Sequence, residues 1–250
     1  MTDKDKETED FEIVDALKEG TDGGPVEITE SGLTLNLGMG SEDEYNEAAP
    51  QEVSAEELRA LAEVEEELNE RWPETKIEPS LDRIEMLMDL LGHPERSFDV
   101  IHIAGTNGKS STARMVDSLL RAFHRRVGLV TSPHLQRVTE RIGIDGQPIH
   151  PRDYVRIWHE IKPFVEMVDA QSDVPMSKFE VLVGLSYAAF ADAPVDVAVV
   201  EVGLGGRWDA TNVVNADVSV ITPVGLDHTD YLGDTCLLYT SDAADDLLCV

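Results

Sequence analysis

The sequence predicts an α/β fold, a mainly parallel sheet flanked by helices, and three observations carry that prediction. From residue 100 onward, short apolar runs of strand length alternate with longer segments of helical period. One run, Val100-Ile101-His102-Ile103-Ala104, leads through Gly105-Thr106-Asn107-Gly108-Lys109-Ser110-Ser111 into a helical segment, the strand–loop–helix setting that a phosphate-binding loop requires. Two further runs are followed by Ser132-Pro133-His134 and by the glycine-rich turn after Glu201, at the strand ends where parallel sheets place ligands.

Taken in order, residues 1–51 are rich in Asp, Glu, Gly, Thr and Ser without a sustained period, and are expected to form an acidic, disordered or marginally ordered extension. Within them Leu33-Thr34-Leu35-Asn36-Leu37 alternates as a strand does but stands alone, and reads equally well as a transient segment. Ser54 and Glu57 have capping-box spacing ahead of Leu58, Leu61, Val64 and Leu68, which predicts an amphipathic helix over 54–71. Ile84, Leu87, Met88 and Leu91 predict a second helix over 81–91, stopped by Gly92. Core packing suffices to explain both. Beyond them, strands are predicted at 100–104, 127–131, 195–202 and 218–222, with helices over 110–124, within 154–168 and within 179–190. The loops after Ala104, Thr131, Glu201 and Thr222 are therefore expected to converge on one site.

Fifty acidic and twenty basic residues among 250 give a formal net charge of −30, which repels nucleic acid and anionic membranes, so neither is expected as a partner. A small anionic ligand must then be met by local positive groups, and Lys109, Arg137, Arg141 and Arg207 lie in the motif segments. No apolar run reaches membrane-spanning length and the acidic start lacks the pattern of a secretory signal, so a cytoplasmic location is expected. Cys236 and Cys249 are too few and too near the end for a disulfide framework or a metal cluster, which fits a reducing compartment.

The loop at 105–111 is a shortened form of the common G-x-x-x-x-G-K-[ST] pattern, which would want glycine where Ile103 stands. Its glycines let successive N–H groups turn inward, and the helix start adds unpaired donors. Lys109 supplies a point charge for phosphate oxygens, and Ser110 or Ser111 can reach a bound magnesium ion. Glu201 closes an apolar run, where a carboxylate costs several kcal/mol if buried alone. A divalent cation is a natural partner; a satisfied structural carboxylate or a helix cap is the bland alternative. His228, within Asp227-His228-Thr229-Asp230, can ligate magnesium, bond a phosphate or cap a turn. His102, inside the apolar run, and His93, His124, His150 and His159 read as structural, without zinc spacing among them. Gly184-Leu185-Ser186-Tyr187 lies in a helical segment without the nucleophile-elbow pattern, which sets a serine hydrolase aside.

Together, Ala104-Gly105-Thr106-Asn107-Gly108-Lys109-Ser110, Thr131-Ser132-Pro133-His134-Leu135, Glu140-Arg141-Ile142, the Glu201 to Arg207 turn, Asp209-Ala210-Thr211-Asn212 and Leu226-Asp227-His228-Thr229-Asp230 resemble folylpolyglutamate synthase, often bifunctional as dihydrofolate synthase. That family belongs to the Mur ligase superfamily, and the resemblance runs over residues 75–234 in the right order. It implies a P-loop domain of the Mur ligase central-domain type, here an ATP-binding domain over 52–234. Gly105, Thr106, Asn107, Gly108, Lys109, Ser110 and Ser111 would form the ATP phosphate loop, and Ser132, Glu201 and His228 match the family's magnesium positions. Lys178, Phe179, Glu180, Asp209 and Asn212 resemble segments lining the pterin site, with residues 78–82 near it. Lys109 and His228 are the catalytic candidates, and Arg141 and Arg207 are candidates for anion pairing or loop bracing. The implied reaction joins L-glutamate to dihydropteroate or a folate through an acyl phosphate made from ATP, with Mg2+, in a monomer.

After Gly233-Asp234 the family continues into a helix bearing a carbamylated lysine, further strands and a second domain. Here Thr235 leads into Cys236-Leu237-Leu238-Tyr239-Thr240-Ser241-Asp242-Ala243-Ala244-Asp245-Asp246, which holds no lysine and resembles a translated sequencing adapter. Residues 235–250 are therefore expected to be non-native, the domain incomplete at its C-terminus and the second ligase domain absent. The expected consequence is a poorly soluble or partly unfolded chain with little or no turnover. Two other readings stay open: a Mur-type peptidoglycan-precursor ligase, told apart by its muramyl nucleotide substrate, and a noncatalytic nucleotide-binding protein. A generic P-loop NTPase would need glutamate-independent turnover.

Overall fold

A computed structural model describes residues 26–29, 32–35, 52–71 and 80–225. The chain divides into two units, residues 1–51 and 52–250. In the first, β1 (Val26–Thr29) pairs antiparallel with β2 (Gly32–Leu35), Thr29 opposite Gly32. The alternation that stood alone in the sequence thus has a strand partner.

The second unit runs α1 (Ala55–Asn69), α2 (Asp82–Leu91), β3 (Asp99–Ala104), α3 (Lys109–Ala122), β4 (Val127–Val130), β5 (Ile142–Ile144), β6 (Gln147–Pro148), α4 (Pro151–Gln171), α5 (Lys178–Asp192), β7 (Val197–Glu201) and β8 (Val218–Ile221). Its sheet has the order β6-β5-β4-β7-β3-β8. β4, β7, β3 and β8 are parallel, while β5 and β6 add an antiparallel margin. The fold is therefore α/β with a mainly parallel sheet, as predicted.

The pleat explains the layering, because alternate residues of each strand serve opposite faces. Ile103, Val127, Leu129 and Val199 pack with Ala113 of α3 on one face. Val100, Val130, Ala198 and Val200 face a larger core built from α1, α2, α4 and α5. α5 is buried on nearly every side from Val181 to Phe190, which is why its sequence is apolar all round rather than striped. Gly128 of β4 is small for this reason: a Cβ there would lie 2.7 Å from the ring of Phe190.

Local chemistry sets the ends of these elements. Ser54 caps α1 in a reciprocal box with Glu57, the Glu57 N–H donating to the Ser54 hydroxyl at 3.2 Å and the Ser54 N–H to the Glu57 carboxylate at 2.8 Å. Gly92 ends α2 in the left-handed region at φ 77°. α4 starts earlier than its apolar period suggests, because His150 caps it by accepting from the Arg152 N–H at 3.2 Å and Pro151 fits the first helical position. The β5–β6 hairpin is not among the elements predicted from the sequence; its signal is Asp145-Gly146, with φ 49° and 78°, the left-handed pair that a two-residue hairpin turn needs. Among the described residues no helix is long and apolar enough to cross a membrane.

Candidate functional site

Four strands end side by side, and the loops after β3, β4, β7 and β8 meet there as expected. The phosphate loop leaves β3 through Gly105, whose φ of 128° excludes other residues and whose Cβ, were there one, would press on the Thr222 carbonyl oxygen at 2.8 Å. Beyond it Gly108, also left-handed at φ 89°, starts α3. The N–H groups of Thr106 and Asn107 both donate to the Pro223 carbonyl at 3.1 Å, so these two do not point into the loop as its glycine content suggested. The donors without helical acceptors are those of Gly108, Lys109, Ser110 and Ser111, which open the helix and carry its positive end. The Lys109 ammonium donates to the Gly105 carbonyl at 2.8 Å, folding back across the loop. Thr106 ties the loop to the chain after β8, its hydroxyl donating to the Gly225 carbonyl at 3.1 Å.

Glu201 ends β7 at 2 % exposure, beneath the phosphate loop. The Ser110 hydroxyl donates to one carboxylate oxygen at 2.7 Å and the Ser132 N–H to the other at 3.3 Å. Three loops thereby share one carboxylate. Burial pushes its carboxyl up, opposed by the bonds from Ser110 and Ser132 and by the nearby charges of Lys109 and Arg114. Ser111 is exposed, so Ser110 is the hydroxyl that faces Glu201. Among the described residues no three His, Cys, Asp or Glu side chains are grouped to hold a metal ion. The oxygen donors that meet here are the Glu201 carboxylate and the Ser110 hydroxyl, with the Ser132 backbone N–H on the carboxylate's other oxygen.

The loop after β4 is shaped by Glu140, to which the sequence motifs gave no role, and by Arg141, a candidate for anion pairing or loop bracing. The Glu140 carboxylate accepts the N–H groups of Leu135, Gln136 and Arg137 at 2.8, 3.0 and 2.9 Å. Those bonds, Leu135 and Arg137 first, hold it below the usual carboxylate range. Arg141 donates from Nε to His134 Nδ1 at 2.9 Å, which makes it a brace of this loop. The readable signal for Glu140 is a glutamate three residues after a turn start, the same spacing that marks helix caps.

Asp209 is buried on the far side of the glycine-rich turn. One oxygen accepts the Leu204 N–H at 2.8 Å, and the other accepts the N–H of Thr211 at 3.0 Å and its hydroxyl. Burial pushes this carboxyl up, while the Thr211 hydroxyl and the N–H groups of Leu204, Thr211 and Gly203 hold it down. The Phe179 ring lies against Gly203, where a Cβ would come within 2.5 Å of it. Asn212 donates to the Arg207 carbonyl at 3.2 Å. Glu180 is engaged inside the protein: it pairs with Arg83 at 2.9 Å and accepts the Ser177 N–H at 2.7 Å in the capping box of α5. Lys178 donates to the Asn69 side chain at 2.7 Å, at the end of α1. Of the pterin-side candidates, Phe179, Asp209 and Asn212 thus meet at the turn, while Lys178 and Glu180 are turned to α1 and α2. His228 with its two aspartates, Glu78 and residues 235–250 lie outside the described residues.

Comparisons with known proteins follow the same line. The chain is 62% identical over 185 residues to the dihydrofolate synthase/folylpolyglutamate synthase of Mycobacterium tuberculosis (strain ATCC 25618 / H37Rv), covering 71% of this chain and 38% of that protein. It is 39% identical over 160 residues to the protein of the same name from Bacillus subtilis (strain 168), covering 64% of this chain and 37% of that protein. Among solved structures, Mycobacterium tuberculosis folylpolyglutamate synthase complexed with ADP and AMPPCP matches at a TM-score of 0.71 and 57% identity, over 76% of this chain and 42% of that one. E. coli FolC in complex with DHPP and ADP matches at a TM-score of 0.67 and 36% identity, over 74% of this chain and 43% of that one. The chain therefore spans about two fifths of the length of these relatives. No protein-family profile matches it.

Proposed function

Over the part that aligns, the chain belongs to the folylpolyglutamate synthase/dihydrofolate synthase family of the Mur ligase superfamily, and on that footing we propose that its site activates a folate-type carboxylate with ATP for joining to L-glutamate. The observation that carries the reading is Glu201, a buried carboxylate shared by Ser110 of the phosphate loop and the Ser132 N–H of the neighbouring loop. A phosphate chain seated on the α3 N-terminus would lie against the one acidic group that three of the converging loops hold in common.

In this reading the N–H groups at 108–111 and the Lys109 ammonium take the phosphate oxygens, Lys109 exchanging its bond to the Gly105 carbonyl for one to phosphate. A magnesium ion fits the donor set, because the Glu201 carboxylate and the Ser110 hydroxyl beside it are hard oxygen ligands and a carboxylate this buried is costly without a cation. Ser110, Ser132 and Glu201 would hold it, with His228 as a further position outside the described residues. When bound it supplies charge neutralisation for the phosphates. Residues 52–234 form the ATP-binding domain in this account, beside an acidic extension at 1–51, in a monomeric cytoplasmic protein.

The acceptor sits toward the turn that Asp209 and Phe179 shape. A carboxylate oxygen of dihydropteroate or a folate bonds to the γ-phosphorus as the bond to ADP breaks. The glutamate amine then bonds to the acyl carbon, phosphate leaves with the C–O electrons, and the nitrogen loses a proton. Chemistry of this kind is mostly positioning and electrostatics, which suits a site of backbone donors and fixed charges. The test is ADP formation by the complete reading frame with dihydropteroate, with and without L-glutamate. Glutamate-dependent ADP formation is expected; equal ADP formation without glutamate, or response only to a muramyl nucleotide, would overturn the reading.

A further inference from the structure

His102 lies in the middle of β3, three residues before the phosphate loop, with its side chain 3 % exposed on the face toward α5. The proposed chemistry gives it no part. Its Nε2 is 2.9 Å from the Thr211 hydroxyl, and that hydroxyl's single proton is committed to Asp209. A hydroxyl that donates its proton to a carboxylate can meet the ring nitrogen only as an acceptor, so His102 carries its proton on Nε2. The donors then converge on Asp209: His102 Nε2–H donates to the Thr211 oxygen and the Thr211 hydroxyl to one Asp209 oxygen, while the Leu204 N–H of the turn donates to the other at 2.8 Å. Tyr187 adds a lock from α5, its hydroxyl donating to the Thr211 carbonyl at 3.0 Å.

We propose that His102 is a positioning residue: through Thr211 and Asp209 it fixes the glycine-rich turn at 203–206, and so sets the acceptor side of the site from the same strand that launches the phosphate loop. The two halves of the site are joined directly beneath the phosphate loop by Ser110 and Glu201, and deeper by this buried relay. Among the described residues the side chains of His102 and Thr211 bond to each other and to Asp209 rather than to the phosphate loop, so the relay bears on the turn rather than on nucleotide. Burial keeps the imidazole neutral, its pKa lowered to about 4, so the donor is present throughout the neutral range. The assignment of the turn to the acceptor rests on the proposed ligase function; the positioning of the turn does not.

Two measurements on the full chain separate these. By amide hydrogen exchange, His102→Leu is expected to speed exchange at Gly203 and Leu204 roughly tenfold more than at β3 and β7, the size expected for one buried hydrogen bond, and His102→Gln, which restores a donor, is expected to reverse most of it. Acceleration spread evenly over the sheet, or none at the turn, would overturn the proposal by reducing His102 to core packing. In binding titrations, His102→Leu should weaken dihydropteroate roughly tenfold and leave AMPPCP within about twofold, with His102→Gln near wild type. Equal weakening of both ligands would likewise overturn it. A wild-type chain that binds AMPPCP but no dihydropteroate would count against the ligase reading, and the exchange result alone would then decide the role of His102.

Discussion

Glu201 and His102 are both buried titratable groups, and burial acts on them with opposite pH signs. Glu201 has its carboxyl pushed up by desolvation, so the native chain keeps a proton that the unfolded chain has lost, and stability falls as pH rises through its raised pKa. Glu201→Gln is therefore expected to raise Tm at about pH 8 without metal and to have little effect near pH 4, while removing any magnesium dependence of AMPPCP binding. Thermal melts at the two pH values check the first part; a destabilised variant at the higher pH would show that the ionised form is already paid for by its hydrogen bonds. His102 runs the other way. Its folded pKa of about 4 lies below the ordinary 6.5, so between those values the unfolded chain binds the extra proton and stability is lost as pH falls. His102→Gln should flatten that part of the stability curve, by up to about 3 kcal/mol at the acid end, and urea melts across the window would reveal a slope unchanged from wild type if this is wrong.

At the scale of elements, the loop after β4 is held by one carboxylate reaching three N–H groups. Glu140→Ala should loosen it, and because Arg137 is exposed on that loop, trypsin cleavage after Arg137 should speed up while the sheet stays intact. Cleavage at the wild-type rate would show that Arg141 and the strand ends suffice. The α5 cap offers a simpler case: Ser177→Ala removes a reciprocal cap and is expected to cost about 1 kcal/mol, or about 2–4 °C in Tm. The capping of α1 by Ser54 and Glu57, the stop at Gly92 and the four parallel strands were legible because each depends on local chemistry or a pattern within a few residues. β5 and β6 were missed because three-residue and two-residue strands carry too few positions to show a period, leaving only Asp145-Gly146 as a sign. The phosphate loop and Glu201 were legible as types of residue at strand ends. What could not be read was the partner of each group. That Thr106 and Asn107 spend their N–H groups on Pro223, or that Glu180 faces Arg83, depends on residues about a hundred positions away.

Taken as a whole molecule, fifty acidic residues against twenty basic leave charge that the exposed ion pairs cannot offset. Pairs such as Arg156 with Asp192 are part-exposed, and each such pair contributes about 0.2–1 kcal/mol, which salt erodes. Salt also screens the repulsion among the uncompensated carboxylates, and with a net charge of −30 that effect should win. Raising ionic strength from about 0.02 to about 0.3 M is expected to raise Tm, and a fall would mean that the pairs matter more than the net charge. On the proposed function, a nucleotide approaching this acidic chain is met by the α3 N-terminus and Lys109, since only local donors can overcome the long-range field. Carboxylate activation and ATP hydrolysis differ in where the γ-phosphoryl group goes. Dihydropteroate carrying isotopically heavy carboxylate oxygens, incubated with ATP, L-glutamate and the complete reading frame, should yield inorganic phosphate that contains one heavy oxygen per turnover. Phosphate free of the label, formed while ADP accumulates, would mean that water is the acceptor and that the loops around Glu201 serve ATP hydrolysis rather than carboxylate activation.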